Sequence, residues 1–505
     1  MLIPTRTGRD AATRTESIWR AEMIASELWI LAALIAIGAT LRFGTLASQS
    51  FWLDEATTAH EMGLSFGALL HQIHVNETTP PLYFIVAWLW TKVFGAGEVG
   101  LRSLSALLGT LAIPIAYLCG RELVSRAAGL VAAALATVSP FMIWYSQEAR
   151  SYMLFTVLCG LSFLFFAKSL REPTRRNLVW WGIASSAAVL THFFAGFLVA
   201  PEGLWLILRF RSRATVVAAA VVAAVQLAIL PLAVGDTSHP LQWIKAFPLS
   251  IRIKQVPVDL GLGTLYQSSL VTNGLLGAGV LAVIVAALLY FGGEREQQRG
   301  AAIAAALAAV VLVAPVVLTA FGSDYVVPRN FAPAWIPLAV LLGAACTVPR
   351  ARAAGGALAA VLLISFVYAN VRIGNDPQYQ RPDWRGVAAA LGQPTGPRAI
   401  VAYDSGFASQ PLAIYLRGIP WNPAPQATPV RVGEVDVVGS VYQQSPGALP
   451  AGFKLLSTST VKGGFRVDRF TVSPARQLTP AAIAAQAPSL LGPAPAGPAV
   501  LIQTG

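Results

Sequence analysis

Charge is what this chain has least of. Only 12% of its 505 residues are Asp, Glu, Lys or Arg, against 55% hydrophobic, and mean hydropathy is +0.61. So little charge cannot coat a soluble globule, which excludes that class and points to a polytopic membrane protein. Cysteine is scarce as well. Cys119, Cys159 and Cys346 all lie in or at the ends of apolar runs, as small buried residues do, which argues against a disulfide or metal framework. No A-x-A-type cleavage site follows the first apolar run, so residues 1–26, with Arg6, Arg9, Arg14 and Arg20, read as a retained cytoplasmic segment. No internal repeat stands out beyond an Ala/Val/Leu bias. The net charge of +12 does not imply a nucleic-acid partner, because Lys and Arg fall in short clusters between apolar runs, as membrane anchors do.

Apolar runs long enough to span a bilayer lie near 27–46, 99–119, 127–145, 151–168, 178–192, 194–208, 214–234, 272–291, 301–321, 332–348 and 354–371. A further run, 80–95, is short, opens with Pro80-Pro81 and is crowded with Tyr83, Phe84, Trp88, Trp90 and Phe94. If it spanned, the clusters Arg121/Arg126, Lys168/Arg171/Arg175/Arg176, Arg209/Arg211/Arg213, Arg295/Arg299 and Arg350/Arg352 would all become extracytoplasmic. If it lies along the outer interface, those 13 residues join the N-terminal arginines inside. Arg42, Lys92, Arg102, Arg150, Lys245, Arg252, Lys254 and Arg329 then stay outside. The positive-inside rule prefers the second arrangement: eleven spans and a first outer loop, 47–98, containing a juxtamembrane helix. The expected fold is thus an all-α polytopic membrane protein. Past 371 the chain turns polar. A strand at 398–403, a short helix at 410–416, one or two strands in 430–441 and a hairpin over 454–472 around Gly463-Gly464 predict a small outer α/β domain, 372–472. An Ala/Pro-rich tail, 473–505, is expected to follow without structure of its own.

This arrangement puts four polar clusters at outer helix ends. They are Asp54-Glu55, Tyr145 to Tyr152 with Glu148 and Arg150, Thr191-His192, and Asp324 to Asn330 with Tyr325 and Arg329. Each has a plain alternative: a helix-cap carboxylate pair, an ion pair at a helix end, a packing histidine, a snorkelling arginine. Their shared side favours a joint role. A carboxylate pair and an arginine at a membrane surface suit group transfer from a lipid phosphate, with arginine on the phosphate and a carboxylate as general base.

At these residues the chain resembles a known family. Phe51-Trp52-Leu53-Asp54-Glu55-Ala56, Thr79-Pro80-Pro81-Leu82-Tyr83, Leu101-Arg102-Ser103-Leu104-Ser105-Ala106 and Ser146-Gln147-Glu148-Ala149-Arg150 look like the GT-C superfamily of membrane glycosyltransferases. The branch they are most similar to holds bacterial relatives of protein O-mannosyltransferases and of the lipid A aminoarabinose transferase. The resemblance covers about 28–370. It implies inverting transfer of a sugar from a polyprenyl-phosphate donor, on the extracytoplasmic face of the cell membrane, to a glycan, lipid or protein acceptor. It implies catalytic roles for Asp54, Glu55 and Glu148. Glu148 would hold the acceptor or, in some branches, a divalent cation such as Mg or Mn shared with Asp54. Arg329 would meet the donor phosphate, with Tyr325, Arg150 and His192 beside it. A departure stands at Thr79, where relatives often carry His or Lys before the proline pair; His74 and Glu77 are nearby. A transporter of lipid-linked sugars would instead need mid-membrane carboxylates and matched broken helices, which the sequence does not display. A lipid-diphosphate oligosaccharide donor stays open as the other alternative.

Overall fold

The computed structural model describes residues 6–77, 79–234, 242–245, 247–394, 396–402, 409–421, 428–440, 449–491 and 499–503. Its side chains are described from residue 25 on, apart from those of 76, 232–234, 242, 243 and 491.

All eleven expected apolar runs are helical. Nine helices among the described residues are long and apolar enough to cross a membrane: Ala25–Phe43, Glu98–Leu123, Tyr152–Arg171, Phe193–Phe210, Arg213–Pro231, Ser268–Gly292, Arg295–Thr319, Pro328–Cys346 and Pro349–Asn375. The tenth run is a bent pair, Arg126–Val138 and Pro140–Ser146, meeting at 55°. The eleventh, Arg175–Thr191, has 17 residues and opens with Arg175-Arg176-Asn177. It is not among the helices long and apolar enough to span, so the described residues give nine spans, or ten with the bent pair, rather than eleven. The bend has a local cause. Pro140 cannot donate a backbone hydrogen bond, and Ser139 caps the second piece by accepting from the Met142 N–H. Carbonyls freed at the break are taken by Arg42 of the first span, whose Nη2 lies 2.7 Å from Ala136 O and Nη1 3.1 Å from Thr137 O. The guanidinium is fully buried. Arg42, counted above among the outer cations, is therefore a cap on a broken helix.

Helix contacts use small residues. A Cβ on Gly120 would stand 2.7 Å from the Cα of Gly129, so Glu98–Leu123 and Arg126–Val138 touch backbone to backbone. Helices such as Ser268–Gly292 show most of their apolar side chains to the surroundings, as lipid-facing spans do.

The first outer loop folds into three short helices, Leu53–Met62, Phe66–Asn76 and Leu82–Phe94. The last is the aromatic segment after the proline pair. It buries Tyr83, Phe84, Ala87 and Thr91 and exposes Leu89, Val93 and Phe94. The indole N–H groups of Trp88 and Trp90 reach Leu64 O and Gly100 O, and Lys92 lies over Trp88. One apolar face and one anchored face suit a helix lying in the membrane interface.

The C-terminal domain carries a five-stranded sheet of β1 (Arg398–Ala402), β2 (Val430–Ser440), β3 (Phe453–Val461), β4 (Phe465–Leu478) and β5 (Ala499–Gln503), in the order β3-β4-β2-β1-β5. β1 and β2 are parallel and the other pairs antiparallel. The hairpin falls where expected, with Val461 opposite Phe465 across the turn holding Gly463 and Gly464, both at positive φ. The Ala/Pro-rich segment differs from expectation. Its helix Pro480–Leu491 places Ile483, Ala487 and Leu490, spaced i, i+4, i+7, against one face of the sheet, and β5 closes the edge beside β1. Helices Trp384–Leu391 and Ser409–Tyr415 cover the other face. Alanine-rich composition hid an amphipathic stripe.

This domain docks on the first outer loop. Arg385 pairs with Glu98 at 2.6 Å, the Phe51 N–H donates to Tyr415 Oη at 2.7 Å, Thr57 Oγ1 donates to Gln410 at 2.8 Å, and His60 stacks on Trp421 at 4.0 Å.

Candidate active site

The polar residues singled out from the sequence converge at one end of the bundle, around the first turn of Leu53–Met62. Trp52 in extended conformation starts that helix and sends its two carboxylates different ways. Asp54 is about one-fifth exposed and stands 3.6 Å from Arg329 Nη1. Arg329 lies in the 3-10 turn that opens the span Pro328–Cys346, near the rings of Trp52 (5.9 Å) and Tyr152 (5.6 Å).

Glu55 is fully buried and committed elsewhere. Arg102 grips it with both arms of its fork, Nε to Oε1 at 2.7 Å and Nη2 to Oε2 at 2.6 Å, and the Ala149 N–H donates to Oε1 at 2.9 Å. The same guanidinium donates to the carbonyls of Leu46, Gln49 and Ser50. Burial alone would lift the Glu55 carboxyl, but Arg102, with help from Arg381, holds it below the usual range. Glu55 thus ties the first outer loop to the helix Glu98–Leu123 and to the turn carrying Glu148.

Glu148 is 2% exposed. Arg381 Nη2 lies 3.1 Å from its Oε2, and Oε1 has no hydrogen-bond partner. Burial pushes this carboxyl up; Arg381 opposes the shift and Glu55 adds to it. Arg150 turns to a different acid, with Nη1 and Nη2 at 3.4 and 3.3 Å from Glu77 and Nη1 at 3.2 Å from Thr58 Oγ1. Behind that pair Glu61 is buried and pushed up to about 8, by burial first and by Glu77 second. His192 caps the short helix Phe193–Ala195, its Nδ1 accepting from the Phe194 N–H, and stacks on Phe155 at 4.5 Å. Tyr325 is 40% exposed, and its carbonyl accepts from Asn330. Asp54, Glu55, Glu148, Arg150 and Arg329 are therefore brought together. His192 lies against Phe155 near Tyr152, and Tyr325 is partly exposed.

Three features went unread in the sequence. Arg102 lies inside a quoted motif but gave no sign of its role. Arg381 falls in the stretch past 371, which stood out only for turning polar. Asp259, on the helix Leu249–Leu262, accepts from Tyr266 at 2.7 Å and from Tyr145 at 3.3 Å, and burial pushes it up to about 6. Among the described residues no three His, Cys, Asp or Glu side chains gather as a metal-ligand set. Asp54 and Glu148 already face guanidinium partners, so the acids do not form a ready cation cage.

Comparison with known proteins sharpens the picture. Residues 78–234 match the family described as dolichyl-phosphate-mannose-protein mannosyltransferase. An uncharacterized protein of Aquifex aeolicus is 31% identical over 162 residues, 32% of each chain. The chain thus matches about a third of that relative's length. The crystal structure of ArnT from Cupriavidus metallidurans in the apo state superposes with a TM-score of 0.51 at 13% identity, covering 88% of this chain and 98% of that one. The chain therefore has the fold of that ArnT structure. The ArnT structure bound to undecaprenyl phosphate matches at TM-score 0.50 and 14% identity over 87% of this chain and 97% of that one. With nine described helices long and apolar enough to cross a membrane, or ten if the bent pair is one span, the chain is a multi-pass membrane protein.

Proposed function

We propose that the protein is an inverting glycosyltransferase that moves a sugar from a polyprenyl-phosphate donor to an acceptor hydroxyl at the extracytoplasmic face of the cell membrane. The observation that carries this reading is the Asp54–Arg329 pair. Of the two adjacent carboxylates, Asp54 alone keeps partial solvent access, and the cation across from it is of the kind that holds phosphate. In the reaction, the acceptor oxygen bonds to the anomeric carbon while the bond from that carbon to the phosphate oxygen breaks. The electron pair leaves with the polyprenyl phosphate, and the acceptor proton passes to Asp54. Arg329 steadies the departing phosphate, and the oxygen of Glu148 without a partner receives a hydrogen bond from the acceptor. Phosphate is a good leaving group, so no strong general acid is required. The ArnT structure with undecaprenyl phosphate supports a lipid-phosphate donor by likeness of fold.

The test is transfer of labelled mannose from undecaprenyl-phosphate-mannose to a crude membrane acceptor by the purified protein, with release of undecaprenyl phosphate. Asp54→Asn is expected to lower the rate by about 10²–10⁴-fold, the usual worth of a general base, while the lipid phosphate still binds. Near-wild-type turnover in that variant would sink the base assignment. Absence of transfer from any polyprenyl-phosphate sugar by the wild-type protein would sink the donor class.

A further inference from the structure

Arg381 comes from the short segment between the last span and the C-terminal domain. It lies outside the stretch 78–234 that matches the mannosyltransferase family. It is nevertheless among the most buried cations of the site, at 3% side-chain exposure. Its guanidinium stacks on Trp144 at 4.1 Å and donates to the Trp144 carbonyl at 3.3 Å. Nη2 is 3.1 Å from Glu148 Oε2 and Nε is 3.8 Å from Glu55 Oε2. The backbone is pinned as well. The Arg381 N–H donates to Gln49 Oε1 at 2.8 Å, and the next carbonyl, Pro382, accepts from Ser50 Oγ at 2.9 Å. An arginine fixed at both ends of its side chain is built in.

The balance of charge gives the reason. Asp54, Glu55 and Glu148 crowd one centre, and the helix bundle offers Arg329 and Arg102 to two of them. Arg150 is engaged with Glu77. The third guanidinium arrives with the C-terminal segment. Two buried carboxylates facing each other without it would be costly, and one would take up a proton. Glu148 would then lose its fixed orientation and its accepting strength at Oε1.

Resting on the glycosyltransferase reading above, we propose that Arg381 is a positioning residue of the acceptor side of the site. It holds Glu148 beside Glu55 with one oxygen turned to the incoming hydroxyl, so the segment leading into the C-terminal domain completes the centre. The charged groups that act on Glu148 are Arg381, Glu55, Arg329 and Asp54.

The test compares full-length wild type, Arg381→Gln and Arg381→Lys in detergent. Three quantities are read: transfer from labelled undecaprenyl-phosphate-mannose against pH, undecaprenyl phosphate affinity, and the protonated-carboxyl infrared band that Glu148→Gln removes. In Arg381→Gln the acid limb of the rate profile and the Glu148 band are expected to move up by about one pH unit, a tenfold loss on the low-pH side. Donor-lipid affinity should change by less than about threefold, since a residue that does not touch the phosphate leaves its binding nearly intact. Arg381→Lys, keeping the charge without the fork, should shift less, and it carries the test if Arg381→Gln does not accumulate. A lower rate with an unmoved pH profile and an unmoved Glu148 band would overturn the proposal, leaving Arg381 only a packing role. The infrared measurement needs no turnover. A shifted band in a protein that transfers from no polyprenyl-phosphate sugar would therefore keep the positioning role and reject the transferase reading.

Discussion

Arg329 Nη1 stands 3.6 Å from Asp54 Oδ2, so the group assigned to proton removal and the group assigned to phosphate face each other. A lipid phosphate entering the site competes with Asp54 for that guanidinium. Arg329→Gln should therefore weaken undecaprenyl phosphate binding by about 10–100-fold, the worth of a charge-assisted hydrogen bond of 1.5–3 kcal/mol. Asp54→Asn removes the competitor and should leave affinity unchanged or tighter. Thermal-shift titration with undecaprenyl phosphate checks both. Weaker binding in Asp54→Asn would contradict the competition.

The Glu55–Arg102 pair should matter for stability first. Removing one member of a buried ion pair typically costs about 3–5 kcal/mol. Arg102→Leu should be the worse change, because the carbonyls of Leu46, Gln49 and Ser50 also lose their donor. Unfolding temperature and membrane yield report this. Variants that keep full stability and lose only turnover would restore a catalytic role for Glu55.

Glu61 supplies a pH signature. Its folded carboxyl titrates at about 8 against an ordinary 4.5, so the folded chain binds the extra proton over that window. Stability should consequently fall as pH rises from about 5 to 8 and level off above, since the folded state releases its proton later than the unfolded one. Glu61→Gln, a mimic of the protonated form, should flatten that slope and melt higher than wild type at pH 8.5. Parallel melting curves for the two proteins across the range would refute the assignment.

The sidedness proposed for the site is open to direct labelling. Ser48→Cys, in the exposed part of the first outer loop, should react with an impermeant maleimide in intact cells, and Arg211→Cys only after permeabilisation. The native cysteines are buried and should stay silent. Reaction of both positions from one side would break the eleven-span arrangement.

The apolar helices, the short helix after the proline pair and the hairpin were legible because each leaves a periodic or compositional trace in a short window. Asp54, Glu148 and Arg329 were legible as polar residues at helix ends sharing one end of the bundle. What stayed hidden was pairing across long separations. Nothing local tells Glu55 from Asp54, although Arg102 reaches one and Arg329 the other, and Arg381 meets Glu148 across 233 positions. The helix break at Pro140 was masked by continuous hydrophobicity. The stripe of Ile483, Ala487 and Leu490 was masked by alanine on every side.

Arg42 ties the first span to function in a way its hydrophobicity does not suggest. A foreign anchor in place of 25–43 would insert equally well, yet it would leave the carbonyls of Ala136 and Thr137 without a donor, directly beneath the turn that presents Glu148. Chimeras exchanging only that anchor should reach the membrane and fail there, so the segment is better regarded as the floor of the reaction chamber than as its tether.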